Sequence, residues 1–149
     1  LCSLNQSLIE ACINSDGSDL DTTIAQYIDW ESAIDYYIFT VMVEGVDMTR
    51  NNYLLSTYDG TKWFFTAYDM DSTLGLWWDG KTWVGADTYP TFESYAFEHR
   101  IMELISTYKK DELKTRYWEL RSGVLTETNM ATTYANFIGQ IPITVYLKD

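Results

Sequence analysis

Residues 52–71 have the sequence NYLLSTYDGTKWFFTAYDMD, and this stretch decides the fold class. Two runs rich in aromatic residues, 52–58 and 62–70, flank the dipeptide Asp59-Gly60. That dipeptide between two such runs is a strong signal for a β-hairpin turn. The sequence therefore predicts one antiparallel hairpin with its turn at Asp59-Gly60.

Helical periodicity dominates on both sides of the hairpin. Before it, the sequence predicts a first helix through Leu8, a short helix at about 21–28, and a largely buried helix that Asp29 caps and that continues up to Gly45. Three amphipathic stretches follow it, with apolar positions at Phe97, Ile101, Leu104 and Ile105, at Leu113, Tyr117, Leu120 and Val124, and at Met130, Tyr134, Phe137, Ile138 and Ile141. Between the hairpin and these stretches, residues 72–95 show no sustained period and are predicted to be a long ordered loop. Such a loop in a compact domain is usually functional. The predicted class is α+β and predominantly helical.

The bulk composition limits the classes of function. A chain of 149 residues with 46% hydrophobic residues can build one core, so we expect a single domain over residues 1–149. The 22 acidic and 10 basic side chains give a net charge of −12, which argues against nucleic-acid binding and suits metal cations. The longest charge-free apolar run, residues 36–43, is too short to span a membrane. Six Trp, twelve Tyr and six Phe resemble the composition of secreted or cell-surface proteins.

The first candidate site motif lies between the buried helix and the hairpin. Asp47 precedes Asn52 by five positions. Protein kinases use this spacing for a catalytic-loop Asp, which accepts the proton of the substrate hydroxyl, and an Asn that holds magnesium. An Asp before a turn is more often a cap or turn former, so the spacing by itself is a weak signal.

The second motif ends the hairpin, where Asp69 and Asp71 are separated by one residue and Gly75 follows. Residues two apart in an extended strand share a face, so both carboxylates can point towards one hard cation. The hairpin brings its two ends together and so predicts that Asp47, Asn52, Asp69 and Asp71 meet in one oxygen-rich cluster. The spacing leaves open whether Asp69 or Asp71 makes the direct metal bond.

Five blocks of the sequence, taken together, resemble the CotH kinase family, the atypical kinases related to spore coat protein H. The blocks are Tyr27–Tyr36, Asp47 with Asn52–Leu55, Lys62-Trp63, Tyr68–Gly75 and Arg116–Thr126. The resemblance implies the C-terminal lobe of a protein-kinase-like fold that binds ATP and Mg²⁺ and phosphorylates Ser or Thr of a surface or coat protein. It also implies an extracellular, cell-surface or spore-coat location in bacteria.

The resemblance assigns roles residue by residue. Asp47 corresponds to the catalytic Asp, Asn52 to the magnesium-binding Asn, and Asp69, with Asp71 beside it, to the metal-binding aspartate. The sequence contains no Gly-rich phosphate loop and no strand of the Val-Ala-Ile-Lys type. We therefore expect that the N-terminal lobe is missing from this chain and that the chain alone turns over little or nothing, because phosphoryl transfer depends on both lobes.

Three other functions remain as alternatives. The aromatic residues Trp77, Trp78, Trp83 and Tyr89 would suit an extracellular carbohydrate-binding or adhesion module if their rings are exposed. A non-catalytic scaffold would keep the fold without the activity. A glycoside hydrolase would need two carboxylates separated across a sugar cleft, whereas the acids here are predicted to cluster.

Overall fold

The computed structural model describes residues 2–45, 47–49, 51–82 and 100–142. Its elements are α1 (Cys2–Asn14), a short 3₁₀ helix (Ile24–Gln26), α2 (Trp30–Met42), β1 (Tyr53–Ser56), β2 (Phe64–Ala67), α3 (Arg100–Tyr108), α4 (Lys110–Ser122) and α5 (Glu127–Gly139). Helices dominate, and the sheet formed by the described residues has two strands. These elements are compatible with the predicted α+β class. The chain divides into two compact units, 1–113 and 114–149, so the single domain stays a prediction.

Helix α2, in the first unit, is largely buried, as the sequence predicted. The Asp29 carboxylate accepts the backbone N–H of Ser32 at 2.9 Å, which satisfies one of the free donors at the start of the helix. Six of the α2 side chains are buried: Ala33, Ile34, Tyr36, Tyr37, Ile38 and Thr40. The helix ends at Met42, and the Gly45 N–H returns to the Thr40 carbonyl at 2.9 Å.

Substitution of Asp29 by Ala is expected to lower the free energy of unfolding by about 1 kcal/mol, since the N-cap acceptor is lost. Denaturant unfolding followed by far-UV circular dichroism measures this change. Asp29→Asn is the matched control, because its side-chain oxygen can still accept the Ser32 N–H. Equal losses in both variants would show that the charge of Asp29, rather than its capping hydrogen bond, stabilises the helix.

The hairpin is present, but its strands are shorter than the sequence predicted. Its register pairs Tyr53 with Ala67 and Ser56 with Phe64, and Asp59-Gly60 lies within the connection, where Gly60 has a φ of +76°. Side chains of the connection take up two backbone donors: Thr57 Oγ1 accepts the Gly60 N–H at 3.0 Å and Asp59 Oδ1 accepts the Thr61 N–H at 2.9 Å. Such local bonds compete with the ladder and shorten it.

Trp63, expected in the second strand, pairs instead with the segment before α2. Its N–H donates to the Tyr27 carbonyl at 2.8 Å, and its carbonyl accepts the Asp29 N–H at 3.0 Å. The hairpin is also tied to α2 itself, because Ser32 Oγ accepts the Phe65 N–H at 3.1 Å. These bonds set the position of the hairpin relative to α2.

Helices α1 and α3 are joined by the side chain of Arg100. Its guanidinium donates to the carbonyls of Cys12 at 3.3 Å and Ser15 at 2.8 Å, which satisfies acceptors at the end of α1. The predicted apolar face of α3 is confirmed from position 101 onwards, with Ile101, Met102, Leu104 and Ile105 buried. Phe97 lies outside the described residues.

A buried lysine lies between α3 and α4. Lys109 is 6% exposed, and its ammonium pairs with Asp21 at 2.5 Å and Glu112 at 3.1 Å and lies 5.6 Å from the centre of the Trp30 ring. Burial lowers the pKa of Lys109, but the hydrogen bonds to Asp21 and Glu112 outweigh it and raise the pKa above its ordinary value. The lysine therefore stays charged and links α3 and α4 to the segment before α2.

The helix predicted at about 21–28 is mostly turn and contains only the 3₁₀ helix. The Asp19 carbonyl is the reason, because it accepts the N–H groups of Thr22, Thr23 and Ile24 at 3.2, 2.8 and 3.3 Å.

The predicted long loop is irregular over residues 72–82. Its remainder, including Trp83 and Tyr89, lies outside the described residues.

The second unit contains most of α4, a turn and α5. The Thr126 side chain accepts the Asn129 N–H at 3.3 Å and caps α5. Helix α5, which the structure describes throughout, has no buried residue, and Tyr134 and Phe137 are 68% and 62% exposed.

Among the described residues, no helix is long and apolar enough to cross a membrane.

Candidate functional site

The loop after α2 brings the first two candidate residues together. The Asp47 carbonyl accepts the N–H of Asn51 at 2.9 Å and that of Asn52 at 3.1 Å, so the chain makes one tight turn between them. Both Asp47 and Asn52 are half-buried. The five-residue spacing seen in the sequence therefore corresponds to one closed turn, with its two polar residues at the ends.

The hairpin brings the third candidate to the same turn. The Tyr68 N–H donates to the Asn52 carbonyl at 3.3 Å, which adds a bond to the ladder beyond the Tyr53–Ala67 pair. Asp69 follows Tyr68 directly. Three candidates, Asp47, Asn52 and Asp69, are thus connected through two steps of backbone hydrogen bonding at the open end of the hairpin.

Asp69 has an unusual backbone conformation. Its φ is +51°, in the left-handed region, where non-glycine residues are uncommon and Asp and Asn are the best tolerated after glycine. Residues held in this region cluster at functional sites in known proteins. Glu44 and Leu74 also have positive φ values, of 52° and 55°, so the conformation is a feature of this part of the chain that Asp69 shares.

The segment after Asp69 folds back onto the end of α2. The Leu74 N–H donates to the Val43 carbonyl at 2.6 Å, and Thr73 Oγ1 donates to the Met70 carbonyl at 2.9 Å. Asp71 is exposed, and its carboxylate accepts the Ser72 hydroxyl at 3.3 Å. Asp71 therefore lies in this segment, three residues beyond Tyr68, whose N–H bonds to the Asn52 carbonyl.

The loop that carries Asp47 is anchored by buried neighbours. Met48 and Thr49 are 1% and 2% exposed, and a Cβ at Gly45 would overlap the Met48 side chain.

Sequence reasoning did not assign a role to Tyr36, whose hydroxyl contacts this loop at two points. Its sequence signal is weak, because a Tyr on the buried face of a helix is usually only part of the core.

The donor set is of the kind that magnesium prefers. Within the described ranges, no three His, Cys, Asp or Glu side chains form a group that could hold one metal ion. Magnesium usually takes one or two carboxylates and fills its other positions with water and phosphate oxygens, so three carboxylates are not required. The Asn52 amide and one or two of the acids fit it chemically, and the metal site stays a prediction.

The described residues also line a separate, partly open pocket of about 310 Å³ between α1, the hairpin and α3. Its walls are mainly apolar, and none of the four candidate residues lines it. Cys12 is one of the lining residues, and burial raises the pKa of its thiol to about 11. The thiol is therefore protonated and inert near neutral pH.

Comparisons with known proteins identify the family. The family model described as CotH kinase protein matches residues 3–147, nearly the whole chain. The chain therefore belongs to the CotH kinase family, and the resemblance seen in the sequence is confirmed. Neither a comparison with curated proteins nor one with solved structures found a match.

Proposed function

We propose that this chain provides the catalytic and metal-holding part of a CotH-type kinase domain, which transfers phosphate from ATP to Ser or Thr of a protein. The observation that supports the proposal, in a chain of this family, is that the Asp47 carbonyl bonds to Asn52 and the Asn52 carbonyl bonds to Tyr68, the residue before Asp69. A kinase-like C-terminal lobe is the architecture that this role requires.

Each residue has a distinct part in the proposed chemistry. Asn52 and Asp69 hold magnesium, which when bound neutralises charge on the phosphates. We assign the direct bond to Asp69 rather than Asp71, since Asp69 follows the residue that pairs with Asn52. Asp47 orients the substrate hydroxyl and accepts its proton as the oxygen bonds to the γ-phosphorus and ADP leaves.

The sequence has neither a Gly-rich phosphate loop nor a lysine-bearing strand of the kinase type. In the intact protein we assign the clamping of ATP to an N-terminal lobe. The chain by itself should then bind magnesium weakly and transfer little phosphate, because both lobes must position the reacting groups. The proposed substrate is a surface or coat protein, in keeping with an extracellular, cell-surface or spore-coat location.

Substitution of Asp47 by Asn is expected to leave magnesium·ATP binding intact and to slow phosphate transfer by about 10²- to 10⁴-fold, the usual contribution of a general base. Transfer of labelled γ-phosphate in the intact protein, to itself and to a Ser/Thr-rich acceptor such as casein, measures the rate. Asp59→Asn is the control, because it removes the same charge in the hairpin connection, at the other end of the ladder.

Equal rates in Asp47→Asn and wild type would contradict the role of Asp47. Magnesium·ATP binding with no transfer to any acceptor would instead favour the non-catalytic scaffold.

A carbohydrate-binding module is the second candidate, and exposed aromatic rings favour it. Trp77 and Trp78 are 42% and 74% exposed, in a turn closed by the bond from the Trp77 N–H to the Lys81 carbonyl at 2.8 Å. If this turn binds sugars, Trp78→Ala should weaken oligosaccharide binding by roughly tenfold, the scale of one lost ring contact. Calorimetric titration with a panel of soluble oligosaccharides tests this, and absence of binding by the wild type excludes the candidate for those sugars.

A further inference from the structure

The side chain of Tyr36 connects α2 to the loop that carries the candidate site. Tyr36 is 5% exposed, and its hydroxyl donates to the Met48 carbonyl at 2.5 Å. The same oxygen lies 3.4 Å from the Asn52 carbonyl. Since Met48 directly follows Asp47, this one hydroxyl contacts both ends of the Asp47–Asn52 turn.

The ring of Tyr36 is itself held by the hairpin. It stacks on Phe65 of β2 with 5.1 Å between ring centres and 19° between planes, and it lies 6.5 Å from the ring of Tyr53 in β1. Tyr53 and Phe65 also contact each other at 5.6 Å. The backbone of α2 and three packed rings therefore fix where the hydroxyl lies.

We infer that Tyr36 is a positioning residue for the Asp47–Asn52 site: its hydroxyl holds the two ends of the turn at the separation that metal and substrate binding require. The inference rests on the proposed function. Small displacements of reacting groups are costly, and loss of a group that orients a metal ligand typically lowers affinity or activity 10- to 100-fold. The Tyr36 hydroxyl contacts the backbone carbonyls of Met48 and Asn52, so its effect passes through the placement of Asp47 and Asn52.

Tyr36→Phe removes the hydroxyl and leaves the ring stacking in place. Ser32→Ala is the matched control, because Ser32 also lies on α2 and also bonds to the hairpin backbone, through the Phe65 N–H. Ser32→Ala loses a partly buried bond to the hairpin, whereas Tyr36→Phe loses the contacts of its hydroxyl with the Met48 and Asn52 carbonyls, so only Tyr36→Phe loses contacts with the turn. The comparison therefore separates a local effect on the site from a general loss of stability.

Two measurements on the intact protein test the inference. The first is amide hydrogen exchange at Asn51 and Asn52, whose N–H groups both bond to the Asp47 carbonyl. We expect exchange at these amides to be about tenfold faster in Tyr36→Phe than in Ser32→Ala. The second is the magnesium concentration for half-maximal ATP binding, expected to rise about 10- to 100-fold in Tyr36→Phe and to stay at the wild-type value in Ser32→Ala.

The two measurements distinguish failure of the inference from failure of the proposed function. Equal exchange at Asn51 and Asn52 in both variants would overturn the positioning role. If ATP binding by the wild type requires magnesium, an unchanged magnesium requirement in Tyr36→Phe would also overturn the positioning role. Faster exchange in Tyr36→Phe together with no magnesium·ATP binding by the wild type would refute the proposed function, while the hold of Tyr36 on the turn would stand.

Discussion

Replacement of Asp69 by Asn is expected to remove most of the stabilisation that magnesium and ATP give to the intact protein. At a ligand concentration 100 times its dissociation constant, a ligand that binds only the folded state stabilises it by about 2.7 kcal/mol. If Asp69 makes the direct metal bond, the variant should lose most of this gain and most phosphate transfer. Thermal unfolding of the wild type and the variant, with and without millimolar magnesium·ATP, measures this stabilisation.

Asn is the appropriate substitution because of the backbone at this position. Asn and Asp both tolerate the left-handed conformation that Asp69 adopts, with its φ of +51°, whereas Ala would add backbone strain. Asp69→Asn therefore changes the charge with little change in shape. Any difference from wild type can then be attributed to the carboxylate.

The net charge of −12 makes a charge control necessary, because an acidic chain attracts cations without a specific site. Asp59→Asn changes the net charge by the same amount and should retain the full stabilisation. Asp71→Asn should show a smaller loss than Asp69→Asn if the assignment of the direct bond is right. Full stabilisation in the Asp69 variant would show that this residue does not bind the metal.

Substitution of Gly17 by Ala is expected to be strongly destabilising, by about 2–6 kcal/mol. Gly17 has a φ of +92°, and a non-glycine residue held at positive φ costs about 1–3 kcal/mol. A Cβ at this position would also overlap the ring of Tyr108, and overpacking costs about 1–3 kcal/mol more. Denaturant unfolding of the Gly17→Ala variant and of the wild type gives the change in the free energy of unfolding.

Gly60→Ala separates the two contributions. Gly60 has a φ of +76°, but a Cβ there would meet no atom within 4 Å, so only the backbone cost should be observed. Tyr108 is 50% exposed, and Tyr108→Ala should relieve the overlap in a double variant with Gly17→Ala. Equal costs at the two glycines would show that the Tyr108 ring moves aside at no cost.

Several features could be predicted from the sequence because their signals are local. The helices follow from apolar periodicity, the Asp29 cap from its position before an apolar run, and the hairpin from Asp59-Gly60 between aromatic runs. The Asp47–Asn52 spacing likewise needs only short-range sequence. Periodicity alone did not predict burial, since α5 has the predicted pattern but exposes Tyr134 and Phe137.

The tertiary structure decided the features that depend on distant residues. The strands are short because Trp63 pairs with the segment before α2 and side chains of the connection take up backbone donors, neither of which is encoded in strand propensity. The left-handed conformation of Asp69 and the contact of Tyr36 with both ends of the Asp47–Asn52 turn arise only once α2, the turn and the hairpin pack together. The sequence by itself thus determined which residues are candidates for the site, and the packing of α2 against the hairpin decided how they are held.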